Sequence, residues 1–479
     1  MNNTNSIRDL LMNLSSKENI PVLKCYDGMN LRTILAKDFI NEVLTVSGYF
    51  KQHNLSNKHI AILGHNSYDW ILVFFAIISS GNIPILMNPN LPADILCTQL
   101  KQADVDLVCG SPDVISPLQH IDTQLRWLQY KELKECKALD LQDISVASGN
   151  STALMLFTSG TTGISKIVTI SVQNLLTSAK NFKVSHPPRS SNVPKSLFLS
   201  LPFFHIGTIR TLTNALISGI QICIGHGIQY TFVDMAVLTP VYVGMVPAMA
   251  ETLAKQLRRI PVERRARYFG SNFSTIYAVG SAMRYSVAQE LLQQGIQIEI
   301  IYGMTESTGD GTWCELDEAH IGTIGKPDGN VQLKIQDGEI LIKSEGVMKG
   351  YYKDPEETAK VIVDGWLHTG DMGYCDEDGY YYITGRKKNV IILSNGENVN
   401  PEEIEATFGE CSAIDECLVY SDGKGICADV FANDQATAAA FIKQYNESMP
   451  MYRQVYKVNY TEEPLPKTGS GKIQRKQNL

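Results

Sequence analysis

The chain has 479 residues, of which 44% are hydrophobic and 19% charged, and it carries a net charge of −8. That is enough apolar material for about three domain-sized units and for a core that needs no disulfide or metal staple. The acidic balance, with no long basic run, leaves no footprint for nucleic acid or anionic lipid, so an anionic substrate must be met by local groups.

The ten cysteines run from Cys25 to Cys427 with neither a Cys-x-x-Cys pair nor zinc spacing, and they read as buried thiols in a reducing compartment. The start, with Asn2, Asn3, Thr4 and Asn5, lacks the basic and apolar regions of a signal peptide. The longest apolar run, residues 70–78, falls well below the ~20 residues that a membrane helix requires. The cytoplasm is the expected location, with no membrane span.

From His59 onward the pattern predicts a strand at 59–63, a helix at 70–79, a strand at 83–87, a helix from Pro92 and a strand at 105–109. The rhythm resumes with strands at 196–203, 221–224, 241–246, 274–279 and 297–301, and with helices at 248–258 and 284–294. Such alternation predicts a parallel sheet covered on both faces. Beyond Tyr302 the strands shorten, and Asp337-Gly338 reads as a hairpin turn, which predicts a small antiparallel subdomain. A compact tail follows from about residue 389, with a hairpin, an acidic helix start at Pro401 and a helix at 435–445. The expected division is 1–387 and 388–479, and the fold class is α/β: a large N-terminal domain of doubly wound sheets with a small β-subdomain, then a small α+β C-terminal domain.

The stretch 154–166 breaks an apolar strand pattern into hydroxyls and glycines closed by a lysine. Gly160 and Gly163 let the backbone turn several N–H groups toward one anion, while Thr158, Ser159, Thr161 and Thr162 add hydroxyl donors and Lys166 a charge. A polyphosphate fits such a cradle, although Ser165 stands where the common nucleotide loop needs a glycine. An ordinary Ser/Thr/Gly turn fits the stretch taken alone.

Tyr302, Gly303, Met304, Thr305 and Glu306 follow a predicted buried strand, so they emerge at the carboxyl edge where open α/β sheets bind ligands. Tyr302 offers a face for a purine, and Glu306 is either a hard oxygen ligand for magnesium or a solvated loop carboxylate. Gly280, Ser281 and Ala282 end the preceding strand with small residues that would admit a flat base, and a plain turn explains them equally well. Asp371, after Thr369 and Gly370 in a predicted turn, could accept from ribose hydroxyls or simply form the turn. Arg386, after Gly385, could reach the same sugar or lie on the surface. Lys472 sits beside Gly471 near the end, where it is either a solvated terminal lysine or the charge that a glycine-rich tail closes over a reacting phosphate.

In order and approximate spacing these segments resemble the motifs of the adenylate-forming superfamily, which holds acyl- and aryl-CoA synthetases, peptide-synthetase adenylation domains and firefly-type luciferases. The resemblance spans nearly the whole chain. It implies a C-terminal domain that rotates between two half-reactions, with the segment from Thr158 to Lys166 on the β- and γ-phosphates of ATP and Tyr302 against adenine. It further implies Thr305 and Glu306 at the α-phosphate and Mg2+, Asp371 and Arg386 at the ribose, Lys388 at the hinge, and Lys472 bridging carboxylate and phosphate. His205, in a segment matching the acyl pocket, is implied near the bound carboxylate, with a core histidine as its alternative. The aspartate by which amino-acid-activating members hold an α-ammonium is missing near Phe204 and His205, which favours an acid without that amine.

Departures are Ser165 in place of a proline, Ser281 where a second glycine is frequent, and a loop at 393–398 longer than in aryl-CoA members and closer to fatty-acyl ones. The expected activity is conversion of a carboxylic acid to acyl-AMP with release of pyrophosphate, then transfer to coenzyme A. The alternative acceptor is a carrier-protein phosphopantetheine; a nucleotide-binding protein that has lost its chemistry and a luciferase-like oxygenase stand further off.

Overall fold

The computed structural model describes residues 4–119, 125–158, 165–182, 193–280, 282–393, 397–467 and 473–475. The predicted alternation is present, with a strand at His59–Leu63, a helix at Tyr68–Ser79, a strand at Ile83–Leu86 and a helix at Ala93–Gln102. The Tyr68–Ser79 helix is buried from Trp70 through Ile78, as a helix apolar on every side over that stretch must be.

The sheets expected of the large N-terminal domain are two, each parallel through its central strands, and the departure from the predicted all-parallel pattern is that both also carry antiparallel strands. In a nine-stranded sheet the six strands from Pro21–Asp27 to Gln297–Gly303 run parallel, while Asn30–Leu35 on one side and Gly311–Glu315 with Lys326–Pro327 on the other add antiparallel pairings. In a seven-stranded sheet, Thr152–Phe157 lies parallel to Ile83–Leu86 but antiparallel to Ile167–Ser171. Among the described residues the cause is local: after Gly303 the chain turns back within seven residues, and so short a connection joins antiparallel strands. One core cluster takes Ile60 and Leu154 from one sheet and Leu197 and Ile222 from the other.

The predicted strand at 196–203 stops at Phe198, before Pro202, which has no N–H to give a ladder. The helices Ile7–Ser15 and Ala36–Gln52 and the hairpin between them precede the first element read from the sequence. The Asp337-Gly338 turn is as expected, both residues having positive φ, 51° and 76°, between Gln332–Gln336 and Glu339–Lys343. These belong to a five-stranded antiparallel sheet. A separate core cluster draws only on residues from Ile391 onward, around the helices Pro401–Gly409 and Gln435–Ser448 and a three-stranded sheet. Seven of the ten cysteines are buried, but Cys375 is exposed and all ten are free. Among the described residues no helix is long and apolar enough to cross a membrane.

Candidate active site

The strand Gln297–Gly303 ends at Met304 and a helical turn, Thr305–Ser307. The chain then folds back so tightly that a Cβ on Gly303 would lie 2.3 Å from the Gly309 carbonyl oxygen, so only glycine fits there. Glu306, Ser307, Thr308 and Asp310 are buried, which sets aside a solvated Glu306. Arg210, itself buried in the helix Ile206–Ser218, fastens this loop: Nη1 donates to the Gly309 carbonyl at 2.9 Å, and Nη2 lies 3.1 Å from Asp328 and 3.5 Å from Asp310. The sequence reading missed Arg210. An arginine inside an apolar helical pattern was the available signal, because a buried guanidinium requires carboxylate partners.

Glu306 connects to the glycine loop through Tyr351, also missed. The strand Gly350–Tyr351 pairs with Ile167–Ser171, Tyr351 opposite Val168. The Tyr351 hydroxyl donates to Glu306 Oε1 at 2.9 Å, and its ring centroid lies 4.9 Å from the Lys166 ammonium. Burial and the Glu306 charge push this phenol up. Lys166 is ion-paired with Glu357, which also holds Lys360 at 3.1 Å; the bond from Lys166 and then that from Lys360 hold the Glu357 carboxyl below its usual range. Glu357 lies in the first turn of the helix Pro355–Val361, capped by Asp354; its signal was an Asp-Pro-Glu-Glu helix start. The Thr158 N–H donates to the Lys166 carbonyl at 2.9 Å, closing the base of the loop. Ser159, Gly160, Thr161, Thr162 and Gly163 lie outside the described residues.

Asp371 is not in a turn but in the strand Trp366–Cys375, directly opposite Arg386. The strand kinks there: Gly370 has φ +72° and the ladder shifts after Met372, so a turn-like composition is absorbed as an irregularity. The Tyr302 hydroxyl donates to Asp371 Oδ2 at 2.6 Å, Arg386 Nε lies 2.8 Å from Oδ1, and Arg386 Nη1 donates to the Thr369 carbonyl at 3.1 Å. Burial, then the Asp371 charge, raises the Tyr302 phenol well above its ordinary value. The three residues implied for adenine and ribose therefore form one bonded group.

Lys388 is exposed in the helical turn Lys387–Asn389. Partial burial of its ammonium, then the Arg386 charge, pulls its pKa down, with Lys166 among the cations acting on it. Lys472 lies outside the described residues, but both flanks of its segment are tied. Lys467 bridges to Ile473, Gln474 N–H donates to the Pro466 carbonyl at 2.8 Å, Lys467 reaches Glu416 at 2.5 Å, and Arg475 reaches Glu405 at 2.5 Å and Glu402 at 3.1 Å. Ile473 shares a cavity of about 240 Å³ with Ala282 and Met283, next to Gly280, whose φ is +94°; Ser281 is outside the described residues. His205 is exposed, just before the Ile206–Ser218 helix, its ring 4.6 Å from Phe204, which excludes a core histidine.

Tyr302 to Glu306 leave the carboxyl end of the parallel strand Gln297–Gly303, and Tyr351 with Lys166 and Asp371 with Arg386 join them there. The group has cations and hydroxyls for phosphates on the Lys166 side, and a buried carboxylate with an arginine and a phenol on the Asp371 side. Among the described residues no cluster of three or more His, Cys, Asp or Glu could cage a metal ion. A single buried carboxylate suits magnesium, which is held by one or two carboxylates together with substrate phosphates and water.

The AMP-binding enzyme family profile matches residues 32–352, and the AMP-binding enzyme C-terminal domain profile matches 388–479. A 2-succinylbenzoate–CoA ligase of Oceanobacillus iheyensis is 28% identical over 442 residues, covering 87% of this chain and 88% of that one. In fold, the chain is similar to O-succinylbenzoate CoA synthetase of Bacillus subtilis in complex with its acyl-adenylate intermediate, with a TM-score of 0.84, 21% identity and coverage of 98% and 97%. It is also similar to a Mycobacterium tuberculosis fatty acyl CoA synthetase, with a TM-score of 0.76, 20% identity and coverage of 98% and 96%.

Proposed function

The chain belongs to the AMP-binding enzyme family, and from that premise we propose that it is an acid–thiol ligase acting through an acyl adenylate. A carboxylate oxygen attacks the α-phosphorus of ATP, the bond to the bridging oxygen breaks, and pyrophosphate leaves. The thiolate of coenzyme A then attacks the acyl carbon and AMP departs. The acid to try first is 2-succinylbenzoate, which names the Oceanobacillus relative.

The observation that carries this reading is the connected network at the end of the Gln297–Gly303 strand: Lys166, Tyr351 and Glu306 on one side of the Tyr302–Met304 segment, Asp371 and Arg386 on the other. Acid and triphosphate repel each other, so the protein's task is preorganised charge stabilisation. In the proposal Lys166 and the hydroxyls and amides of 158–163 take the β- and γ-phosphates, and Thr305 faces the α-phosphate. Gly280, Ser281, Ala282, Tyr302, Gly303 and Met304 border adenine, and Asp371 and Arg386 hold the ribose. Lys472 approaches the reacting oxygens, Lys388 serves as hinge and His205 lies toward the acid. Magnesium, held by Glu306 and the phosphates, would neutralise phosphate charge. The N-terminal unit, 1–387, and the C-terminal unit, 388–479, turn against each other between the steps. A cytoplasmic location fits the ten free cysteines.

The test is pyrophosphate release with ATP and 2-succinylbenzoate, with short, long and aromatic acids alongside, followed by mass detection of the CoA thioester. Acid-dependent pyrophosphate with a thioester only on a holo-carrier protein would replace the acceptor. No acid provoking ATP cleavage would overturn the proposal.

A further inference from the structure

The helix Tyr285–Gln293 begins five residues after Gly280 and carries no side-chain cap of its own, since its N-cap, Arg284, makes no capping bond. Its first two N–H groups would be orphans. Instead the Glu410 carboxylate, from beyond the hinge, accepts from Tyr285 N–H at 2.8 Å and from Ser286 N–H at 3.2 Å. Arg284 Nη2 donates to the Asp415 carbonyl at 3.4 Å, and the cavity shared by Ala282 and Ile473 lies alongside. A negative charge on a helix N-terminus is favourable twice over, through charge-assisted hydrogen bonds and through the macrodipole.

We propose that Glu410 is a positioning residue: by capping the Tyr285–Gln293 helix from the C-terminal unit, it latches that unit in the pose that brings Ile473, the neighbour of Lys472, beside Ala282. The inference rests on the proposed two-step reaction with a turning C-terminal unit. The latch favours acid adenylation, and its two hydrogen bonds must break before the unit turns for thiol transfer. Glu410 touches none of the reacting groups and lies on the surface, so its loss leaves the fold intact.

The experiment measures two rates separately: acid-dependent pyrophosphate release, and CoA-dependent consumption of supplied acyl adenylate. Glu410→Ala removes the acceptor. Tyr285→Pro removes a donor, and proline suits this position because it is the first of a helix and follows a residue with φ −58° and ψ 139°. Tyr285→Ala is the control that deletes the ring and keeps the N–H. Because a latch shifts the population ratio of the poses by its full strength, the rate ratio of first to second step should fall about five- to tenfold in Glu410→Ala and in Tyr285→Pro. Tyr285→Ala should hold the ratio, and the Glu410→Ala/Tyr285→Pro double variant should fall little further than either single one. An unchanged ratio, or fully additive effects, would overturn the latch while an unaltered chain active in both steps keeps the ligase reading; an unaltered chain inactive in both would overturn the two together.

Discussion

Tyr351 donates its hydroxyl to Glu306 at 2.9 Å while its ring lies beneath the Lys166 ammonium. One residue, remote in sequence from both, thus fixes the carboxylate proposed for magnesium relative to the cation proposed for the phosphates. In Tyr351→Phe the ring stays and a buried carboxylate loses a donor, at a cost of about 1–3 kcal/mol. The midpoint of chemical denaturation should fall accordingly, and the Mg2+ concentration for half-maximal pyrophosphate release should rise severalfold. An unchanged Mg2+ titration would remove Tyr351 from the orientation of Glu306.

Lys166 is held by Glu357, so a triphosphate bound as proposed would compete with that carboxylate for the ammonium. Lys166→Ala should weaken binding of a non-hydrolysable ATP analogue about tenfold, whereas Glu357→Gln should leave it equal or tighten it. Calorimetric titration decides. Both variants weakening alike would mean that the pair supports the fold and not the phosphates.

The Tyr302 hydroxyl, bound to Asp371 at 2.6 Å, holds the carboxylate assigned to the ribose. Tyr302→Phe keeps the aromatic face, so the apparent KM for ATP should rise about tenfold with kcat within a factor of about two, the signature of lost ground-state binding. A fall in kcat at constant KM would place Tyr302 at the chemical step.

For Lys472 the expectation follows from its motif alone. Lys472→Ala should lower acid-dependent pyrophosphate release by about a hundredfold or more, the scale of a lost charge stabiliser, while supplied acyl adenylate is still converted to thioester. Equal loss of both steps would deny Lys472 a role confined to adenylation.

Burial pushes the Glu405 carboxyl up to about 7 from an ordinary 4.5, against the pull of Arg475 and the Val419 N–H. The native chain then keeps a proton that the unfolded chain has already released. Stability from this group is complete below about pH 4.5 and is lost as the pH rises to about 7. Glu405→Gln mimics the protonated form at every pH, so denaturation midpoints measured across that window should decline less steeply with pH than in the unaltered chain. Parallel pH dependences would show Glu405 charged throughout.

Reading the sequence went furthest where information is local. The strand at His59–Leu63, the helix at Tyr68–Ser79 and the turn at Asp337-Gly338 follow from periodicity and from glycine's freedom at positive φ. It failed where composition and tertiary pairing disagree: Thr369-Gly370-Asp371 has turn composition yet sits in a ten-residue strand, because Arg386 and Tyr302 hold Asp371 in place.

By itself, the order of residues determined the α/β class, the apolar strands and the ordered polar segments at their ends, since both strand periodicity and motif spacing are properties of neighbours along the chain. Only the folded arrangement decided that Tyr351 joins Lys166 to Glu306, that Arg210 anchors the loop behind them, and that Glu410 caps a helix 125 positions away. A buried charge or an open helix end demands a partner but does not name one, and the partner is whichever group the packing of distant strands brings within about 3 Å.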